Sequence, residues 1–404
     1  MPNLGVLALI VAAGGLLTGP FLALNYAPTL DAAHDSVSYI QNDVTLGWLL
    51  RGLHHWSANF AIVLAALHGW RLFWRSAYTR PHHMVWVLGC GIFLVILGFG
   101  YTGYLLAGDE RAYTGLGVME SVAGSTPLVG DHASQALRGG DVVSSAMLTR
   151  IYVMHAMILP AVLLGLVIAF VLAMRKAETA AGREMRPWSE VVSRDAMAAV
   201  GVCGALFLCA WLLQPALGPK PDFGGAGAAD ARPEWFFLWV NKLLKIVPGA
   251  TFLIGAVLPG LVVGLAVGLP FLSKGRGRIE TLTAAVIVGG IGVLTALSVA
   301  ESPAPSETEA EQPVDRGGGD SEAVALLRAK CTRCHSIAGV EETNIDGPPL
   351  RRDVFAQLYT KKFFRLKVKD PVKFWEETSM RYTPKRWKPS DAQVELLVKF
   401  FFGE

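Results

Sequence analysis

Charged residues are scarce in this chain. Asp, Glu, Lys and Arg together make up 17% of its 404 residues, whereas hydrophobic residues make up 52%. Soluble globular domains typically carry about 25% charged residues, so this composition argues against an ordinary soluble protein. The net charge is only +3 and gives no indication that the chain binds nucleic acid. We find neither an internal repeat nor a glycine-rich nucleotide-binding loop.

Cysteine is also rare, with five residues in the whole chain. Three of them lie in apolar stretches, where a free cysteine usually behaves as a small buried hydrophobic residue; these are Cys90, Cys203 and Cys209. Cys331 and Cys334 lie instead in a polar segment near the C-terminus. The apolar and the polar surroundings predict different roles for the two groups of cysteines.

Long apolar runs, in contrast, recur up to about Ser298. A membrane-spanning helix needs about 20 predominantly apolar residues. Seven stretches meet this requirement: Leu4–Leu24, Trp56–Trp74, Val85–Ala107, Met147–Met174, Ala196–Leu213, Ile246–Leu272 and Leu282–Ala300. The first lacks the basic flank and cleavage site of a signal peptide, the alternative interpretation, so we expect a membrane helix there. The sequence predicts an all-α bundle of seven transmembrane helices.

The distribution of charge predicts the orientation of this bundle. If the N-terminus is cytoplasmic, the loops on that side are the basic ones, and they include Arg71–Arg80, 175–194 and Lys274–Arg278. The loops on the opposite side are poorer in basic residues, as the positive-inside rule requires, and they carry several aspartates and glutamates. Seven crossings then place everything after Ala300 outside the cytoplasm.

Composition changes abruptly after the last apolar run. Residues 301–320 are acidic and rich in proline and glycine, which predicts a flexible linker with an end-to-end distance of about 25 Å. Residues 321–404 are polar and rather basic. This segment is short, so a bound cofactor would help it to form a stable domain.

The C-terminal segment contains the motif Cys331-Thr-Arg-Cys334-His335. A C-x-x-C-H motif is typical of covalent c-type haem attachment, in which two thiols bind the haem and the histidine binds its iron. A zinc or redox C-x-x-C is the alternative, but no second Cys/His pair occurs downstream. Met380 is the only methionine after His335, so it is the candidate second axial ligand, with plain core packing as its alternative role.

Two further segments resemble the small class I cytochromes c. They are Gly347-Pro348-Pro349-Leu350, and Met380-Arg-Tyr-Thr-Pro384 followed by a predicted helix at Ser390–Phe402. The resemblance implies a small all-α cytochrome c domain with Met380 as the distal ligand and Pro348 or Pro349 packed near His335. It also implies a location outside the cytoplasm, where bacteria attach haem covalently.

Two intramembrane histidines predict a second kind of cofactor. His54 and His68 are fourteen residues apart, so on one helix they point to the same side at depths that differ by about 21 Å. Intramembrane histidines are costly and usually functional. This spacing predicts two stacked haem levels within the bundle.

Four ordered motifs resemble cytochrome b and subunit IV of the cytochrome bc complexes. Arg51–Ala58 with His68–Arg71 resembles the second helix, and Thr149–His155 with Pro160 resembles the start of the fourth. Arg232–Phe236 resembles the P-E-W-Y quinol-site motif, and Lys242–Pro248 resembles the segment after it. The resemblance covers about residues 10–300 and implies a chloroplast-type layout in one chain. We therefore expect a four-helix haem domain at 1–190, a three-helix subunit IV-like domain at 191–300, the linker at 301–320 and the cytochrome c domain at 321–404.

The resemblance implies roles for six residues. His54 and His155 would bind the haem b nearer the outer face, and His68 would bind the inner haem b. Arg51 and Arg150 would neutralise haem propionates, unless they are ordinary interfacial arginines. Glu234 would accept a proton or a hydrogen bond from quinol, with a solvated loop residue as the alternative.

The sequence departs from the family pattern in three places. The second ligand of the inner haem should lie fourteen or fifteen residues after His155, where this chain has Ala169 and Phe170. No histidine occurs from Ala156 to Cys334. The inner haem could therefore be absent, bound by His68 alone, or bound by an unexpected ligand. Ala107-Gly108 replaces the usual Pro-Trp after Leu106, and the first helix has no cysteine for an additional covalent haem.

Together, these features predict a fused cytochrome b and c subunit of a quinol:cytochrome c oxidoreductase. It would pass electrons from membrane quinol to one or two b haems and one covalent c haem in the bacterial inner membrane, with the cytochrome c domain on the periplasmic side. The implied partners are a separate Rieske iron–sulfur protein, a soluble or membrane-bound cytochrome or oxidase, and a second copy of the complex. The alternatives are a non-catalytic electron-transfer subunit with a decayed quinol site and a haem-anchored assembly scaffold.

Overall fold

The fold was analysed in a computed structural model. It describes residues 3–139, 145–182, 188–221 and 232–301, and in the C-terminal region 325–327, 335–337, 347–350, 369 and 390–402. Up to residue 301, every regular element in these ranges is helical. The α-helices are α1 (Leu4–Ala23), α2 (Ala33–Asn42), α3 (Gly47–Trp74), α4 (His83–Leu105), α5 (Glu110–Gly124), α6 (Gly130–Arg138), α7 (Ser145–Val153), α8 (Leu159–Ala180), α9 (Trp188–Leu212), α10 (Leu238–Ile246), α11 (Leu258–Leu272) and α12 (Arg278–Ala300).

Six helical segments of the described chain are long and apolar enough to cross a membrane. They have mean hydropathies of 1.8 to 2.8 and are Leu4–Ala23, His83–Leu105, Ser145–Ala180, Asp195–Leu212, Leu253–Leu272 and Arg278–Ala300. The helix α3 contains the remaining predicted span, but its histidines, asparagine and arginines lower its hydropathy. A multi-pass membrane protein is thereby supported, whereas the count of seven crossings stays a prediction.

One predicted span is wrong at its N-terminal boundary. The apolar run from Ile246 to Leu272 was expected to form a single helix, but α10 ends at Ile246. Pro248 and Gly249 then form a turn in which Gly249 has a φ of 85°. Glycine adopts this left-handed conformation without the steric cost that a Cβ would impose. The next helical segment has a π-helical stretch at Leu253–Val257 and continues into α11.

Five helices pack together in the N-terminal half. The helix α1 packs along α3, and α4 packs along α8, while α3 also contacts α4 and α9. A buried cluster from α1, α3, α4 and α9 contains Val11, Ala61, Ile62, Ile96 and Leu206. Its residues on α1, α3 and α4 lie near the middle of those helices, between two layers of the bundle that are described below.

A loop at 213–221 closes one end of this bundle, and we call it the outer strap. Its carbonyl oxygens accept hydrogen bonds from α3 and α5, and its Gly218 and Lys220 nitrogens donate to acidic side chains. The contacts are Trp56 Nε1 to Leu213 O (2.8 Å), Arg51 to Pro215 O (2.5 Å), Glu110 N to Pro219 O (3.0 Å), Gly218 N to Asp109 Oδ2 (3.0 Å) and Lys220 Nζ to Asp35 Oδ2 (2.6 Å). The outer strap therefore joins the polypeptide after α9 to the N-terminal bundle.

The C-terminal region contributes three elements among its described residues. A parallel pair is formed by β1 (His335–Ile337) and β2 (Gly347–Leu350), and α13 spans Asp391–Phe402. The predicted helix at Ser390–Phe402 is confirmed, with Ser390 accepting a hydrogen bond from Gln393 N at 3.3 Å as an N-cap. The small all-α cytochrome c domain stays a prediction; the strand pair is an addition to it, where Gly347-Pro348-Pro349 favours extended backbone over helix.

Candidate functional site

His54 and His155 face each other across the bundle. His54 lies on α3, and His155 lies in the π-helical segment Met154–Ile158 that joins α7 to α8. Their ring centroids are 5.9 Å apart. A bond between a metal and an imidazole nitrogen is about 2 Å long, so one metal atom between two imidazoles keeps the nitrogens about 4 Å apart and the centroids somewhat further. The pair therefore has the separation expected of two axial ligands.

Both imidazoles are held through their Nδ1 atoms. His54 Nδ1 is 3.0 Å from Gly15 O and 3.1 Å from Thr18 Oγ1. His155 Nδ1 is 2.8 Å from Thr102 Oγ1, whose hydroxyl donates to Gly98 O. Because these partners offer lone pairs, each Nδ1 carries the proton and each Nε2 keeps its lone pair. A metal-binding histidine is usually oriented in this way, so the residues fit a haem iron between the two rings.

Glycines on the two neighbouring helices make room for the rings. A Cβ at Gly19 of α1 would lie 3.5 Å from His54 Cε1, and one at Gly103 of α4 would lie 3.0 Å from His155 Cε1. We call this set of four residues the outer level. These glycines and the two threonines were not predicted from the sequence, although one signal was present: glycines occur fourteen residues apart on both α1 and α4, the same spacing as His54 and His68.

A second set of residues lies on the same four helices, fourteen or fifteen positions away from the residues of the outer level. A Cβ at Gly5 of α1 would be 2.9 Å from His68 Nε2, and one at Gly89 of α4 would be 3.8 Å from Phe170 Cε2. We call Gly5, His68, Gly89 and Phe170 the inner level. His68 Nδ1 is buried and has no hydrogen-bond partner among the described residues. A haem with two histidine ligands does not fit here, because Phe170 has no donor atom.

The π-helical segment explains why the spacing on α8 is fifteen. A π-helical turn inserts one extra residue into an α-helix. Fourteen residues separate the two levels on α1, α3 and α4, whereas Phe170 lies fifteen residues after His155. Of the two positions that the sequence left open, Phe170 and not Ala169 is the one adjacent to Gly89.

The two arginines that were expected to bind propionates have protein partners. Arg51 donates to Gln41 Oε1 and to the outer strap at Pro215 O and Ala216 O. Arg150 donates to Ala136 O near the end of α6. Each guanidinium group has further N–H donors, so a role toward propionates stays a prediction.

Glu234 borders an open cleft of about 460 Å³. Its other lining residues combine two arginines with apolar groups; they are Arg111, Arg232, Pro233, Trp235, Leu238 and Val299. Ligand pockets for small organic molecules typically measure about 300–1,000 Å³. Arg232 also donates to Ser298 O at 3.1 Å, which ties the cleft to the end of α12.

The electrostatic surroundings of Glu234 suit a proton acceptor. Burial raises the pKa of the Glu234 carboxyl above its usual range, the Arg111 guanidinium opposes part of this rise, and Asp109 adds to it. A carboxyl group with a raised pKa exchanges protons closer to neutral pH. The carboxyl is also half-buried, so it is not a fully solvated loop residue.

Trp235 is held next to the cleft by a short chain of hydrogen bonds. Its Nε1 donates to Asn59 Oδ1 at 2.7 Å, and Asn59 Nδ2 donates to His55 Nε2 at 3.2 Å. The following residue, Phe236, packs into the central cluster of the bundle. The cleft is therefore fixed to α3, and neither Asn59 nor His55 was assigned a role from the sequence.

The residues that replace the usual Pro-Trp form a tight turn into α5. Gly108 has a φ of 67°, and a Cβ there would lie 2.7 Å from Ala33 Cβ. Asp109 is 1% exposed and caps α5 by accepting a hydrogen bond from Ala112 N at 2.9 Å. Asp109 also pairs with Arg111 at 3.3 Å, which orients this cleft-lining arginine.

The predicted cytochrome c ligands lie mostly outside the described residues. Cys331, Cys334 and Met380 are not among them, and only the backbone of His335 is described. His335 pairs with Gly347 in the parallel strand pair. The segment with Pro348 and Pro349 therefore runs beside His335, while the packing of their side chains stays a prediction.

Comparison with known proteins gives three findings. The family model described as cytochrome b/b6/petB matches residues 1–178. The menaquinol:cytochrome c reductase cytochrome b subunit of Bacillus subtilis is 40% identical over 43% of this chain and 77% of the relative, and cytochrome b6 of Heliobacterium mobile is 40% identical over 43% and 81%. A solved structure named hyperthermophilic respiratory Complex III covers 75% of this chain and 84% of its own chain, with 24% identity and a TM-score of 0.64.

Proposed function

Since this chain belongs to the cytochrome b/b6 family, we propose that it is the cytochrome b subunit of a quinol:cytochrome c oxidoreductase, fused to its own cytochrome c domain. The observation that carries the proposal is the outer level. Two histidines from different helices face each other at 5.9 Å, and each is held at Nδ1 so that Nε2 is left for iron. A haem bound there accepts and releases single electrons.

Glu234 and its cleft support quinol as the substrate. The apolar side chains of Leu238 and Val299 suit the ring of a quinol, and the raised pKa of Glu234 suits the acceptance of a proton from its hydroxyl. Arg111 and Arg232 stabilise the negative charge that the carboxylate and a deprotonating hydroxyl share. Trp235 lines the same cleft and is held in place by its hydrogen bond to Asn59.

In this proposal, quinol gives one electron to a Rieske partner, which passes it to the C-terminal region, and the second electron enters the haem held by His54 and His155. Cys331, Cys334 and His335 would hold one covalent haem c, with Met380 as its distal ligand, and the linker at 301–320 would let this domain move. The chain has no cysteine and histidine pairs that suit a Rieske cluster, so a separate Rieske protein is the expected partner. The acceptor beyond haem c is a cytochrome or an oxidase, and the complex is expected to be a dimer in the bacterial inner membrane, with the cytochrome c domain on the periplasmic side.

A second candidate function is a non-catalytic electron-transfer subunit. It is favoured by the Ala107-Gly108 turn and by Phe170, each of which departs from the family pattern. The cleft at Glu234 favours the enzyme, because a decayed site has no need of a half-buried carboxyl group in a cleft that two arginines also line. The two functions predict different responses to quinol.

The test is quinol-dependent reduction of the covalent haem c in the purified complex with its Rieske partner. We expect Glu234→Gln to lower the rate by about 10²–10⁴-fold, the usual contribution of a positioned acid or base, with the haem spectra unchanged. Glu110→Gln is the matched control, since this carboxyl group begins α5 near the cleft without lining it. Equal rates for the two variants would favour the non-catalytic subunit, and so would a wild-type protein that no quinol reduces.

A further inference from the structure

The inner level repeats the outer level in all but one side chain. On α1, α3 and α4 the two levels have the same residue types at a spacing of fourteen: Gly5 and Gly19, His68 and His54, Gly89 and Gly103. On α8 the corresponding residues differ, with His155 at the outer level and Phe170 at the inner level. The inner level therefore repeats the glycines and one histidine of the outer level, but it has only one imidazole.

At the inner level, α1 closely approaches the His68 imidazole, as it approaches the His54 imidazole at the outer level. A Cβ at Gly5 would lie 2.9 Å from His68 Nε2, closer than atoms normally come, and glycine weakens an α-helix relative to alanine. A buried imidazole nitrogen without a hydrogen-bond partner is also costly, and His68 Nδ1 is such an atom among the described residues. A bond between Nδ1 and iron would supply the partner that this nitrogen lacks; at the outer level, Nδ1 of each histidine bonds to protein instead.

On the premise that the outer level holds haem b, as proposed above, we infer that the inner level holds a second haem b that is five-coordinate. His68 is its only protein ligand, and the ring of Phe170 covers the opposite face. Haem with a single histidine ligand has an open sixth position, as in globins and peroxidases. The outer level, with two imidazoles, has no such position.

The chemistry of the open position follows from Phe170. The phenyl ring offers neither a donor atom for iron nor a hydrogen-bond donor for a bound anion. The position therefore suits a small neutral molecule, and carbon monoxide is the probe of choice. The π-helical segment Met154–Ile158 matters here, because its extra residue brings Phe170 and not Ala169 next to Gly89.

The experiment is a carbon monoxide difference spectrum of the reduced full-length protein, together with its ratio of b to c haem. We expect two b haems for each c haem, with carbon monoxide shifting the Soret band of one of them. His68→Leu should remove that band shift and one b haem, while the other b haem and haem c remain. Phe170→His should abolish the band shift and, in electron paramagnetic resonance of the oxidised protein, convert a high-spin signal to a low-spin signal, whereas Ala169→His should leave the band shift intact.

Three outcomes would overturn the inference. One b haem per c haem without a band shift means that the inner level is empty, and it leaves the proposed function standing. Two low-spin b haems without a band shift mean that another side chain binds the inner iron. A band shift that survives in His68→Leu means that carbon monoxide binds elsewhere, such as haem c. Absence of all b haem would instead refute the proposed function.

Discussion

Replacing Thr102 with valine should weaken the outer haem site selectively. Thr102 Oγ1 lies 2.8 Å from His155 Nδ1, and no second partner of this nitrogen occurs among the described residues. Valine has nearly the same shape as threonine but no hydroxyl group. His155 would keep its place on the helix while its ring lost the contact that fixes its orientation and protonation.

The size of the effect of Thr102→Val follows from the Nδ1–H group of His155, which is left without a hydrogen-bond acceptor. An unsatisfied buried donor costs about 1–3 kcal/mol, and loss of such an outer contact typically lowers metal affinity about 10–100-fold. The equivalent change on the opposite side should cost much less. In Thr18→Val, His54 Nδ1 keeps the Gly15 carbonyl oxygen at 3.0 Å, so its proton still has an acceptor. Thr102→Ser should behave like the wild type.

The assay is the amount and midpoint potential of haem b in purified variants, measured by pyridine haemochrome and redox titration, with covalent haem c as the internal reference. We expect less haem b and a shifted potential in Thr102→Val, and values near the wild type in Thr18→Val. Equal behaviour of the two valine variants would refute the assignment of Thr102 as the group that orients His155.

Three further predictions concern the cleft and the linker. Quinol oxidation should rise with pH through the raised pKa of Glu234, because only the carboxylate accepts a proton; kcat/KM against pH should lose this rise in Glu234→Gln. Asn59→Leu should raise the KM for quinol about 2–10-fold, the equivalent of one lost hydrogen bond to Trp235, without changing the haem spectra; an unchanged KM would contradict this. Deletion of most of 301–320 should slow reduction of haem c after quinol oxidation while the haem spectra stay the same. An unchanged rate of haem c reduction would refute a role for the linker in electron transfer.

The sequence predicted the elements that depend on local pattern. The spacing of His54 and His68 predicted two levels, and the ordered motifs around His155 and Glu234 predicted the family before any comparison. Apolar runs predicted most helix positions to within a few residues. Each of these signals is a property of one segment and does not depend on what packs against it.

Other features depend on contacts that single segments do not specify. The outer strap binds α3 and α5 through its carbonyl oxygens, which every residue type carries. The π-helical segment at Met154–Ile158 has no composition that distinguishes it from an α-helix, so the choice between Ala169 and Phe170 stayed open. The Pro248-Gly249 turn is different: its residues are ordinary turn signals, but the surrounding apolar run concealed them.

The most direct test of the central claim is addition of quinol to the oxidised purified complex, with the b and c absorption bands recorded together. We predict that both bands appear in the wild type and that both are lost when the Rieske partner is omitted, because quinol must give one electron to that partner before the second can enter haem b. Reduction of haem c alone, or of neither haem at full haem content, would contradict the account.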